Sequence, residues 1–90
     1  MADRTPEDVA TALTKAQRAG VLWFAENGLT AWFPSSAPQR AVRSRLLAAE
    51  ILKRSAVVER GMPMAALGLT DLGRAVAAIL RAETGKEGER

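Results

Sequence analysis

Neither a cysteine nor a histidine occurs in these 90 residues. No disulfide and no thiolate or imidazole metal site can therefore brace the chain, and its fold must rest on apolar packing. Single cores usually occupy roughly 100 to 150 residues, so one domain is expected. A chain this short buries only about 60 to 65 percent of the surface it exposes when unfolded. Its core must be assembled economically or completed by a partner, and a homodimer is one way to complete it. The missing imidazole and thiol also remove the usual general base and the usual nucleophile dyads and triads. No cluster of acids replaces them, so the sequence predicts neither an enzyme nor a cofactor.

Punctuation along the chain predicts a mainly helical domain with one β-hairpin. Thr5-Pro6-Glu7-Asp8 reads as a helix start, with a capping hydroxyl, a proline in the first turn and two acids at the positive end of the helix dipole. Thr14-Lys15-Ala16-Gln17 matches a capping box. A short leading helix followed by a main helix from about Lys15 to Glu26 results, ended by Asn27-Gly28. Leu29 to Phe33 has weak strand character and is broken by Pro34 to Pro38. From Pro38 to Arg54 no breaker intervenes, which predicts the longest helix, capped by Ser36 or Ala37.

The apolar residues of that helix, Val42, Leu46, Leu47, Ile51 and Leu52, spread around most of its circumference, so it is expected to be covered on two sides. Ala56 to Arg60 and Ala65 to Leu69 read as strands joined by a turn over Gly61-Met62-Pro63-Met64. Thr70-Asp71 caps a last helix with Leu72, Val76, Ile79 and Leu80 on one face. Gly73 within it is expected to let the helix approach a neighbouring backbone. The expected organisation is an N-terminal capped helix or arm over residues 1–13, the main domain over 14–82 and a disordered charged tail over 83–90.

No apolar run reaches the roughly 20 residues that span a bilayer, and Met1-Ala2-Asp3-Arg4 lacks the order of a signal peptide, so no membrane association and a cytoplasmic location are expected. The net charge is +3, and ten of the thirteen basic residues are arginine. Arginine suits bidentate contact with phosphate or guanine, although a GC-rich genome would produce the same bias.

The order helix, helix, short strand, helix, hairpin, helix, together with Leu69-Thr70-Asp71-Leu72-Gly73-Arg74, resembles the winged-helix (winged helix-turn-helix) regulators of the MarR and PadR type. Ile51 to Arg60 is similar to the end of their recognition helix running into the wing, with Ser55 where those families usually carry glycine. Leu13 to Arg18 is similar to the start of their first core helix. The resemblance covers roughly Leu13 to Leu80. Two departures stand out: Pro34 to Pro38 lies where a short helix would precede the recognition helix, and the expected wing tip Met62-Pro63-Met64 is apolar rather than basic.

This resemblance implies transcription regulation through double-stranded DNA, read by the helix over 38–54. Between Pro38 and Arg60, six basic residues stand against Glu50 and Glu59, a local balance of +4. The DNA-contacting residues expected are Gln39, Arg40, Arg43 and Ser44 at the start of the helix, with Lys53, Arg54 and Arg60 on the backbone. The competing reading is a solvated arginine face on a helix otherwise buried. Leu46, Leu52, Met62 and Met64 are candidates for a partner surface. They would serve either the homodimer or a protein-interaction module, phage-derived or accessory, that keeps the fold and has no DNA binding. The four aromatic residues, Trp23, Phe24, Trp32 and Phe33, are expected to pack together in the core.

Overall fold

The computed structural model describes residues 5–88, with side chains over 5–83. The first four residues, where the signal-peptide reading falls, and the last two lie outside the described residues. Four helices and a two-stranded antiparallel hairpin follow in the order α1 (Pro6–Ala12), α2 (Lys15–Asn27), α3 (Arg40–Ala48), β1 (Leu52–Glu59), β2 (Met62–Leu69) and α4 (Asp71–Gly88). The chain is thus mainly α with one β-hairpin. No helix among the described residues is long and apolar enough to cross a membrane.

The capping signals act as their chemistry requires. Thr5 Oγ1 accepts the Asp8 N–H at 3.1 Å. The reciprocal box also closes, with Gln17 N–H donating to Thr14 Oγ1 at 3.1 Å and Thr14 N–H donating to Gln17 Oε1 at 3.0 Å. Gly28, at φ +68°, ends α2. The stretch after it is less regular than a strand. Thr30 alone pairs, exchanging two backbone hydrogen bonds of 2.9 Å with Leu67 of β2, before the prolines divert the chain.

The helix expected over residues 38–54 is instead the nine-residue α3, and α4, with 18 residues, is the longest. Neither Ser36 nor Ala37 caps α3; Gln39 occupies the N-cap position without a side-chain bond. At the other end, Ile51 N–H donates to Leu46 O and Glu50 N–H to Leu47 O, both at 3.0 Å, while Glu50 adopts φ +63°. This crossed pair is the Schellman termination, which normally takes glycine at the left-handed position and places an apolar contact across the bend. Leu46 and Ile51 provide that contact, and both are fully buried. Their packing outweighs the cost of holding a glutamate in the left-handed region, roughly 1 to 3 kcal/mol.

Ending the helix at Ala48 reassigns its apolar residues. Val42, Leu46 and Leu47 now share one face, and Ile51 and Leu52 lead into β1. Leu46 and Leu52, expected to serve a partner surface, are buried within the chain at 0% and 2% exposure. The two-sided helix that called for a dimer therefore does not exist. Phe24, Val21, Leu46, Ile51 and Val76 form the centre of the core, where α2 packs against both α3 and α4, and α1 covers α4.

The hairpin is longer and its turn tighter than expected. Pairing runs from Leu52↔Leu69 to Glu59↔Met62, leaving only Arg60 and Gly61 in the turn. Both have positive φ, +53° and +77°, as a two-residue I′ turn demands. Met62, Pro63 and Met64 belong to β2, so the tip is Arg60-Gly61 and is basic.

Thr70 ties the last helix to the end of α3. Its Oγ1 accepts the Gly73 N–H at 3.0 Å and donates to Glu50 O at 2.6 Å, and its backbone N–H donates to Ile51 O at 2.9 Å. Gly73 allows the close approach expected of it: a Cβ there would lie 2.3 Å from Ile51 O. The helix then continues through Gly88, past Glu83, where the sequence predicts a disordered tail.

Candidate nucleic-acid interface

The solvent side of α3 follows from its burial pattern. Arg40, Ala41, Ser44, Arg45 and Ala48 are exposed, whereas Val42, Leu46 and Leu47 turn inward. The exposed set repeats at i, i+4 and i+8 with its neighbours, one face of a helix. It carries two arginines and a serine, and α3 contains no acidic residue. Arg45, absent from the contacts expected from sequence, belongs to this face. Its place depends on where the helix ends and which side the core takes, and arginine content alone does not reveal that.

Between α3 and the hairpin lies a groove of about 240 Å³, lined by Arg40, Arg43, Ser44 and Arg54 above Phe33 and Leu67. Three guanidinium groups from two elements thus share one depression. They are not equivalent. Arg43 Nη1 donates to Pro38 O at 2.7 Å, and its guanidinium carbon sits 4.3 Å from the centre of the Phe33 ring. That hydrogen bond and cation–π contact anchor Arg43 to the loop before α3. Arg40 and Arg54 are exposed, and neither forms an ion pair among the described residues.

Gln39 is exposed, with its amide unused as a cap. Arg60, at the tip of the hairpin, is exposed and stands roughly 20 Å along the strand from Arg54, at about 3.3 Å per residue. Lys53 does not join the group. Neighbours on a strand face opposite ways, so Lys53 is directed to the far face of the hairpin, into a cleft with α2 and α4, while Arg54 faces α3. Both belong to β1, not to the expected helix.

Of the candidate partner residues, Met62 is 66% exposed; Val58, on the other face of the hairpin because it pairs with Pro63 while Met62 pairs with Glu59, is 75% exposed, and Met64 is half-buried opposite Val57. Trp23, Phe24 and Phe33 form a cluster with ring centroids 5.1 to 6.3 Å apart. Trp32, expected within it, is 69% exposed instead, since the loop leaving Thr30 turns Phe33 inward and its neighbour outward. Among the described residues, no group of three or more acidic side chains, histidines or cysteines converges on a point.

Compared with known proteins, the chain matches no family model, no curated protein and no solved structure.

Proposed function

We propose that the chain is a winged-helix-type module that binds duplex DNA, with α3 as the reading helix and the hairpin as the wing, and that it serves as a small transcription regulator. The observation that carries this reading is the solvent face of α3. Arg40, Ser44 and Arg45 stand together there on a helix without acids, with Arg54 across the groove and Arg60 at the hairpin tip. A helix fits the major groove of B-DNA, and arginine there can reach guanine edges or phosphates. The bridge from Thr30 to β2 and the Leu69 to Arg74 segment support the topological half of the proposal. Arg43 acts mainly as a positioning residue, holding the N-terminal turn of α3 against Phe33. A homodimer setting two α3 helices one DNA turn apart, about 34 Å, would raise affinity and specificity.

Binding to unrelated duplexes is expected to weaken with salt, log affinity falling by about 0.9 per log unit of salt for each phosphate neutralised. Replacing Arg40 and Arg45 together by alanine should flatten that slope by up to about two units without lowering the melting temperature. Arg43→Ala should lower both affinity and stability. A wild-type protein that binds no duplex at low salt would remove the proposal.

The second reading is a protein-interaction or assembly module without DNA binding. Exposed Val58 and Met62 near the hairpin tip favour it, because apolar side chains there gain little from a phosphate backbone.

A further inference from the structure

The two edges of the hairpin differ. Leu67 spends its backbone N–H and C=O on Thr30, so in the pair Arg54↔Leu67 the main-chain groups point away from each other. Pairs of that kind alternate along an antiparallel ladder, and Ala56↔Ala65 and Val58↔Pro63 are therefore of the same kind. On the β2 edge, Thr30 covers Leu67 and Pro63 has no N–H to offer, both of which keep a strand edge from pairing. On the β1 edge, the N–H and C=O groups of Arg54, Ala56 and Val58 point outward, and nothing bonds to them among the described residues. All three residues are exposed.

This open edge is complementary to itself. When two copies of β1 lie antiparallel about a two-fold axis at Ala56, the outward groups of Arg54 meet those of Val58 in the second copy, and Ala56 meets Ala56. Lys53 then stands opposite Glu59 of the second copy, and Glu59 opposite Lys53. Both charge pairs fall at non-hydrogen-bonded positions, where Cα atoms come within about 4.5 Å and side chains are nearest. Lys53 and Glu59 are exposed, and neither forms an ion pair within the chain among the described residues. Sliding the copies by two residues in either direction loses both charge pairs. A slip of one residue opposes the outward groups to groups already bonded within the hairpin.

We propose that β1 pairs edge to edge with β1 of a second copy, giving a dimer whose antiparallel sheet runs in the order β2-β1-β1-β2. Val58, 75% exposed in the single chain, is covered there by the aliphatic stem of Arg54 from the second copy. Growth stops at two copies, because only the protected β2 edges remain and the two-fold contact is closed. The axis is perpendicular to the sheet, so both α3 helices lie on the same side of it, a disposition compatible with the proposed DNA binding. The pairing itself needs no DNA and does not rest on that reading.

The test is sedimentation equilibrium of the full chain without DNA. The mass should rise with concentration from monomer to dimer and no further, half-way at about 100 μM or below, as suits a small interface. Ala56→Pro removes an N–H that points away from β2, so the hairpin keeps its own ladder while the dimer is lost. Lys53→Glu and Glu59→Lys should each weaken association about tenfold, because like charges then face each other twice. The two changes shift net charge in opposite directions, so weakening by both reports the cross-strand pair. Combining them restores opposite charges and should return the affinity to within about threefold of wild type. The Arg40→Ala, Arg45→Ala variant should dimerise like wild type. Thermal melting establishes that each variant is folded, and if Ala56→Pro is not, the charge reversals decide. A wild type that stays monomeric overturns the proposal, as do species larger than a dimer, wild-type association in folded Ala56→Pro or in the single reversals, failure of the double reversal to restore it, and loss of the dimer in the Arg40→Ala, Arg45→Ala variant.

Discussion

At its base the hairpin pairs Leu52 with Leu69 and Arg54 with Leu67, and Leu67 is bonded on its other edge to Thr30. Leu52 and Ala66 are buried against the helices. Beyond Ser55, where Val57 meets Met64 and Val58 meets Pro63, the strands continue the same ladder with little of the core beneath them, and Val58 is three-quarters exposed. An isolated two-stranded hairpin is marginal in water. The outer half therefore depends on the base for its order, while the base depends on the junction among α3, β1 and α4. Identical secondary structure thus conceals different sources of stability, and the basic tip at Arg60 is carried on the weaker half.

The comparison can be broken most forcefully at the junction. Ile51→Ala should cost about 3 to 4 kcal/mol in denaturant unfolding, because a fully buried side chain that also closes the end of α3 is truncated; a loss below about 1 kcal/mol would show that the junction does not anchor the base. Gly73→Ala should cost roughly 2 kcal/mol even though alanine is the better helix former, since the new methyl must displace the Ile51 carbonyl. Thr70→Ala, which removes a cap and a hydrogen bond to Glu50 O, is expected to lose about 1 to 2 kcal/mol by the same measurement. Glu50→Gly works in the opposite direction and should raise stability by about 1 kcal/mol, seen as a higher melting temperature, because glycine accepts the left-handed position without penalty. Val58→Thr with Met62→Gln in the outer half should remain within about 0.5 kcal/mol of wild type. A larger loss would mean that the outer strands bury more than their exposure indicates.

The same contrast appears within the arginines. Arg40 and Arg43 are three residues apart on one helix and look alike in sequence, yet one is exposed and the other is held to Pro38 O and the Phe33 ring. Composition predicted a basic centre between Pro38 and Arg60. It did not separate residues that anchor the loop from residues that face solvent, because that division depends on which side of α3 meets the core.

Local chemistry determined the starts of α1, α2 and α4, the end of α2 and the need for glycine at position 73. Each rests on a hydrogen bond, a left-handed backbone or a close approach within a few residues of the signal. The extent of α3 was not legible in this way. Pro38 to Arg54 consists of good helix formers without a breaker, and the chain leaves the helix at a glutamate whose own preference opposes the turn. Only the tertiary structure decided it, because burying Leu46 against Ile51 and receiving the Thr70 hydroxyl on Glu50 O are contacts between α3, β1 and α4. That decision moved Lys53 and Arg54 onto opposite faces of a strand, removed Leu46 and Leu52 from the surface and created the groove and the cleft on either side of the hairpin.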